Sequence, residues 1–131
     1  MPETPELMTG LADDHPAACA LRTFFEIAQA WNLSEVEQMK ILGLKGRSAL
    51  RGWKAGRVIP TGGDSLERIS NVFGIFQAIN ILLPVPKRAD AWMRKPNKAP
   101  LFAGTSALDR MMSGTVSDLL VVRRYLDAQL S

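Results

Sequence analysis

Cysteine and histidine are almost missing from this sequence: Cys19 and His15 stand alone among 131 residues. A single thiol has no partner for an internal disulfide, and the pair falls short of any zinc-ligand set, so neither a metal nor a cofactor is expected. Runs of β-branched residues alternating with polar ones are absent, which removes the signature of strands. No apolar run approaches the ~20 residues that cross a bilayer. The opening residues Met1, Pro2, Glu3, Thr4, Pro5 and Glu6 are acidic where a secretory signal would be basic and then apolar, so a cytoplasmic chain with no membrane partner is expected. Catalytic signatures are lacking too. No glycine-rich phosphate loop follows a strand, no HExxH or paired-cysteine motif occurs, and the lone histidine has no serine or cysteine nucleophile at a recognisable spacing. No catalytic residue is assigned, and the chain is not expected to be an enzyme. Cys19, within AACALRTFF, reads as a small buried hydrophobe, and His15 before Pro16 as a boundary residue.

What is present is helix-forming sequence. Hydrophobic residues make up 47% of the chain, enough for the core of one ordinary domain or of two small ones sharing it. Residues 1–14 carry Pro2, Pro5, Gly10 and four acids with little periodicity and read as a loose tail. From Pro16, the set Leu21, Phe24, Phe25, Ala28 and Trp31 follows helical spacing over about residues 16–31. Ser34 followed by Glu37 is a capping box that opens a short helix, which Gly43 closes. Asp64 with Glu67 resembles a second box, starting a longer helix through Leu66, Ile69, Phe73, Phe76, Ile79 and Leu83 until Pro84 stops it, with Gly74 a point of bending. Short helices are predicted at about 87–95 and 107–112, the second capped by Ser106 and ended by Gly114. A last one begins near Thr115, with Asp118 in its first turn and Leu119, Val122, Leu126 and Leu130 turned inward. An all-α fold follows. As capping residues, Glu37, Glu67, Asp109 and Asp118 need no role as general acids or bases.

Charge is gathered unevenly. The formal net charge is only +3, yet GLKGRSALRGWKAGR at residues 43–57 holds Lys45, Arg47, Arg51, Lys54 and Arg57 without one acid. If residues 46–55 are helical, Arg47, Arg51 and Lys54 fall on one stripe while Ala49, Leu50 and Trp53 point to the other side. Like charges at this spacing repel by a few tenths of a kcal/mol per pair, so the stripe calls for an anion. Upstream, SEVEQMKILGL makes a helix that ends at Gly43. Helix, glycine-containing turn and a second helix with a basic outer face form the helix-turn-helix pattern, whose second helix enters the DNA major groove. Arginines turned toward neighbouring carboxylates, or an uncoiled segment, would undo the promoter-binding reading and leave only a role in sequestering a partner.

Two stretches carry a family resemblance. QMKILGLKGRSALRGWKAGRVIP followed by SLERISNVFGIFQAINILLP resembles the Xre-type helix-turn-helix, with its small-residue turn and a tryptophan near the end of the recognition helix. AWMRKPNKAPLFAGTSALDRMMSGTVSDLLVVRRYLDAQL resembles the C-terminal toxin-binding domain of the Xre/MbcA/ParS antitoxins, in its tryptophan, Pro-Asn, Leu-Phe-x-Gly and Arg-rich closing helix. The resemblance implies an organisation of 1–14 tail, 15–83 Xre-like DNA-binding domain and 84–131 toxin-binding domain. It implies a type II antitoxin that binds and silences a RES-domain toxin, an enzyme that destroys NAD, and that represses its own operon by binding its promoter. Carried over by position, Lys45, Arg47, Ser48 and Arg51 match the groove-facing part of the recognition helix, with Lys54 and Arg57 on phosphates. Trp92, Pro96, Asn97, Leu101, Phe102 and Gly104 match the toxin-binding signature, and Arg123, Arg124 and Tyr125 match the last helix, which in the family approaches the toxin's cleft.

Some residues depart from the family pattern. Ala107 stands where a proline is usual and Lys54 where many Xre domains carry Glu, and Gly52 weakens the recognition helix by ~1 kcal/mol relative to Ala. Trp92 and Phe102 are also large enough to be plain core, whereas RKPNKAPLFAG brings Leu101 and Phe102 into a loop between cations, as partner-binding loops do. A monomer offers little contact to an operator, so a homodimer is expected. The helix over 65–83 is either its seam or the internal core. A rival reading is a helix-turn-helix transcription regulator whose C-terminal half oligomerises or senses a ligand.

Overall fold

The computed structural model describes residues 16–57, 60 and 63–131. The tail expected over residues 1–14, and His15, lie outside the described residues. Among the described residues seven helices follow in order: α1 (Pro16–Ala30), α2 (Glu35–Leu42), α3 (Arg47–Lys54), α4 (Gly63–Leu82), α5 (Pro86–Trp92), α6 (Ala107–Met111) and α7 (Val116–Leu130). No strand occurs among the described residues, and the all-α class stands.

Local chemistry sets the helix ends. Past α1, Asn32 adopts the left-handed conformation, φ 54°, and the amides of Asn32 and Leu33 return to the carbonyls of Gln29 and Ala28 at 3.1 and 2.8 Å. Two residues on, Ser34 and Glu37 form the predicted capping box: the Ser34 hydroxyl accepts the Glu37 amide at 3.1 Å, and the Glu37 carboxylate accepts the Ser34 amide at 2.8 Å. Gly43, φ 72°, ends α2 with the Leu44 amide bonded to Met39 at 2.9 Å. Ser106 with Asp109 forms another capping box, and Thr115 caps α7. Asp64 corrects the remaining cap. Because α4 begins at Gly63, Asp64 lies inside the first turn, where its carboxylate takes the Arg68 Nε at 2.8 Å.

One continuous core runs through both halves. It joins Leu21, Phe24, Ile27 and Trp31 to Ile41, Leu50 and Trp53, then to Ile69, Val72, Ile75, Ala78 and Ile79 of α4, and on to Met93, Phe102, Leu108, Leu119, Val122 and Leu126. The α4–α7 contact is the most extensive helix pair, followed by α1–α4. One face of α4 is therefore internal core. Its outward remainder includes Phe73 and Ile81, 40% and 64% exposed. Other expectations change in detail. Ala49 is exposed, because only Leu50, Gly52 and Trp53 of α3 turn inward. Cys19 is exposed rather than buried, lining an open apolar groove with Ala20, Leu66, Ile69 and Phe73. Leu130, one turn beyond Leu126 at the fraying end of α7, is 41% exposed.

Arginines tie the helices across this core. Buried Arg68 on α4 donates to the carbonyl of Ile41 at 3.2 Å and to that of Gly114 at 2.8 Å. Gly43 makes room for it, since a Cβ there would sit 2.7 Å from the guanidinium carbon. Arg123 on α7 lies across Gly74 of α4 and donates to the Asn71 side chain at 3.2 Å. The Asn71 and Gly74 positions thus accept a guanidinium where two helices would otherwise meet through apolar side chains alone.

If the core is one unit, equilibrium urea unfolding followed by tryptophan fluorescence and by far-ultraviolet circular dichroism will give coincident single transitions, since Trp31 and Trp53 report the first half and Trp92 the second. Leu126→Ala, at a position 1% exposed, is expected to lower stability by about 2–5 kcal/mol in the same experiment.

Candidate functional site

Two outward regions gather the residues singled out by sequence. The first is α3. Its connection to α2 is the turn Gly43, Leu44, Lys45, Gly46, in which Leu44 packs on the core and Lys45 is exposed. Leu50 and Trp53 anchor the helix inward, leaving Arg47, Ser48, Arg51 and Lys54 exposed, with Arg57 exposed just beyond Gly56. The cationic stripe is therefore present. Two contacts modify it. The Nε atoms of Arg47 and Arg51 lie 3.7 and 3.6 Å from the two carboxylate oxygens of Glu35 in the first turn of α2. Lys54 Nζ sits 5.6 Å from the Phe25 ring centroid, a cation–π distance. Both arginines therefore turn toward a neighbouring carboxylate, the arrangement that counts against promoter binding, although one carboxylate faces two guanidinium groups and the arginine side chains remain 60% and 64% exposed. Exposed ion pairs of this kind contribute about 0–1 kcal/mol. Periodicity within α3 could not reveal Glu35, because it belongs to the preceding helix.

The second region is the segment 93–106 with α5 and α7. Asn97 and Thr105 close it: the Asn97 amide donates to the Thr105 carbonyl and the Gly104 amide to the Asn97 carbonyl, both at 2.9 Å. The Asn97 side-chain oxygen accepts the Ala99 amide at 2.8 Å, a local turn that an asparagine is suited to make. Ala103 and Gly104 both take positive φ, 49° and 87°, so the loop reverses there. A glycine is needed at 104 for its backbone conformation alone, since a Cβ would meet nothing within 4 Å.

Phe102 corrects the picture of an exposed apolar loop. It is 2% exposed and stacks edge-on against Trp92 at 6.1 Å and Tyr125 at 5.1 Å. The ring is the peg that pins the loop to the core. Leu101 is half-buried, and its carbonyl accepts Arg110 at 2.8 Å. Pro96, Gly104 and Arg124 face outward, with Lys95, Lys98 and Pro100 beside them, while Trp92, Asn97 and Tyr125 are half-buried. Arg123, turned about 100° from Arg124 on α7, packs against α4 instead of joining this face. Of the residues assigned to this region, the aromatic trio and the loop are brought together, and Arg123 is not.

Sequence reasoning missed the side chain that ties the second region to the corner between α1 and α2. Arg94, at the start of the loop, holds both oxygens of Glu37, at 2.9 and 3.0 Å, and donates to the carbonyls of Trp31 and Asn32 at 3.2 and 2.9 Å. The carbonyls left over at the end of α1 and the capping carboxylate of α2 thus share one guanidinium. Arg94 holds the Glu37 carboxyl down to about 2 from an ordinary 4.5, with the Ser34 amide adding to the effect. Asp118 is likewise held down to about 2, by the hydroxyls of Ser113 and Thr115 and by Arg110. Burial alone raises Asp90 on α5. Among the described residues, no three His, Cys, Asp or Glu side chains come together as metal ligands, and no helix is long and apolar enough to cross a membrane.

Residues 78–130 match the family described as the antitoxin Xre/MbcA/ParS C-terminal toxin-binding domain. The match begins inside α4 and takes in the whole loop and α7. Over 119 residues the chain is 44% identical to the uncharacterized protein y4oB of Sinorhizobium fredii, covering 90% of this chain and 89% of that protein. That similarity extends well beyond the matched domain and so includes most of the α1–α3 region.

Arg94 lies within the matched segment, and its partner Glu37 lies outside it. Because Glu37 titrates near 2 when folded and near 4.5 when unfolded, its contribution is complete above about pH 4.5 and is lost as pH falls towards 2. Arg94→Ala is therefore expected to lose more stability at pH 7 than at pH 3, as read from urea midpoints of both proteins at each pH. An equal loss at the two values would show that the Glu37 pair contributes nothing beyond packing.

Proposed function

The chain belongs to the antitoxin family defined by the Xre/MbcA/ParS C-terminal toxin-binding domain, and on that footing we propose that it neutralises a RES-domain, NAD-degrading toxin and represses its own operon as a homodimer. The observation that carries the antitoxin reading is the family match itself, over the segment that folds as the pinned loop and α7. The observation that supports DNA binding is the exposed cationic face of α3, held in place by Leu50 and Trp53 from behind.

In the toxin-binding half, Phe102 and its flanking aromatics set the loop's position, and Pro96, Leu101, Gly104 and Arg124 present the surface that meets the toxin. An apolar half-buried centre, Leu101 with the edges of Trp92 and Tyr125, surrounded by Lys95, Lys98 and Arg124, has the anatomy of a protein interface. Neutralisation then consists of covering the toxin's cleft. No residue of this chain needs to do chemistry. In the DNA-binding half, Arg47, Ser48 and Arg51 read bases or sugars in the major groove while Lys45, Lys54 and Arg57 meet phosphates. Gly46 supplies α3 with no side-chain cap, so the first-turn amides stay open to a phosphate oxygen as well. Each phosphate contact contributes about −0.9 to the slope of log affinity against log salt, and a bidentate arginine on guanine discriminates by about 1–3 kcal/mol. Two copies related by a two-fold axis would meet half-sites about 34 Å apart or at multiples of that spacing. The outward Phe73 and Ile81 are the part of α4 left for such a seam.

Separation of function tests both roles. Deleting residues 85–131 is unsuitable, because it strips α7 from α4 and exposes Val72, Ile75 and Ile79. Exposed or half-exposed substitutions avoid this. Arg47→Ala with Arg51→Ala should abolish retardation of a fragment from upstream of the gene and still rescue cells from the toxin encoded alongside it. Lys98→Glu with Arg124→Glu, both at exposed positions, should do the reverse, with an unchanged melting curve. Full rescue by the second variant would overturn the assignment of the loop and α7, and a harmless neighbouring gene product would overturn the antitoxin reading.

A further inference from the structure

We infer that Glu35 is a built-in counter-anion for α3 that competes with DNA for Arg47 and Arg51 and so lowers affinity for a duplex. The inference rests on the proposal that α3 contacts DNA. Glu35 sits in the first turn of α2, and its two oxygens face different guanidinium groups at 3.7 and 3.6 Å. Both separations are ion-pair contacts too long for hydrogen bonds. Arg47 and Arg51 stand four residues apart on one helix and repel each other; a carboxylate between them relieves that repulsion and fixes both side chains in the absence of DNA.

The capping of α2 does not need Glu35. Ser34 and Glu37 complete the box by themselves, and Glu37 already places an acid in the favourable first turn. Glu35 is 36% exposed, at the rim where phosphates would arrive. Incoming DNA must take the guanidinium groups from Glu35, and its phosphates must tolerate a carboxylate nearby, so both the arginine contacts and the electrostatic attraction are weakened.

The full-length protein can be tested by fluorescence anisotropy with a labelled duplex of arbitrary sequence, about two helical turns long, at low and moderate salt. Glu35→Gln keeps the shape of the side chain and removes the charge. It should bind this duplex about fivefold more tightly at low salt, and the advantage should shrink as salt screens the contact. Glu67→Gln, which removes an exposed acid from α4, makes the same change in net charge and should leave affinity unchanged. In a chain already carrying Arg47→Ala and Arg51→Ala, Glu35→Gln should gain less, since only the direct repulsion between Glu35 and phosphate is left to relieve. No gain from Glu35→Gln, or an equal gain from Glu67→Gln, overturns the role given to Glu35. If Arg47→Ala with Arg51→Ala binds the duplex as well as the unaltered protein, the DNA-binding reading itself fails. A melting curve for each variant separates these outcomes from loss of fold.

Discussion

Guanidinium groups on backbone carbonyls hold the halves of this molecule in one arrangement. Arg94 reaches from the second half to the end of α1 and the start of α2, and Arg68 reaches from α4 to Ile41 on one side and Gly114 on the other. Helix ends leave carbonyls without intrahelical partners, and a buried carbonyl without a partner is costly. An arginine, with its planar fork of donors, satisfies several at once and cannot be discharged at ordinary pH. The corner between α1 and α2, which sets where α3 projects, is thereby fixed to the loop that carries the family's toxin-binding signature.

This use of cations changes what the net charge means. The formal excess of +3 is small, but Arg68, Arg94, Arg110 and Arg123 are engaged with carbonyls or carboxylates of the chain itself, Arg68 buried and the others at the surface. The carboxylates beside them are engaged too, as Asp64, Glu37 and Asp118 show. Among the described residues, what remains at the surface is weighted towards lysine and arginine: Lys45, Arg47, Arg51, Lys54 and Arg57 in one stretch, Lys95, Lys98 and Arg124 elsewhere. Surface potential, rather than total charge, is what a polyanion or an acidic partner meets.

Features governed by residues three or four apart were legible in the sequence. The Ser34–Glu37 and Ser106–Asp109 boxes, the Gly43 stop and the inward set Leu119, Val122 and Leu126 depend on nothing distant. Asp64 was misread because an acid three residues before a glutamate fits either a cap or a first turn, and the choice depended on where α4 began. Phe102 and Cys19 were misjudged for a related reason. The loop composition around Phe102 signals irregular backbone, but burial of that ring requires Trp92 and Tyr125 to converge on it from different helices. Cys19 follows the buried Ala17 and Ala18, yet its own position on α1 turns outward. Glu35 facing α3 and Arg94 facing α2 are pairings across turns or across the whole chain, which no single-helix periodicity encodes.

A continuous core also constrains how the two proposed activities can communicate. Met93, Phe102 and Leu108 pack into the same cluster as Leu50 and Trp53, so neither region can swing on a linker. Packed interiors respond to a local change by small rigid shifts between a few discrete arrangements rather than by smooth deformation. If the chain is the dimer proposed, any influence of a bound toxin on DNA affinity would therefore act through the placement of whole protomers relative to one another. Within a protomer, the position of α3 relative to the loop is held by Arg94, Glu37 and the α1–α2 corner. In a two-fold dimer, a small change in the angle between protomers moves each α3 relative to its half-site, and half-site spacing on the duplex tolerates little error. On the proposed reading, regulation belongs to the seam between copies, and the arginine ties give that seam rigid bodies to work on.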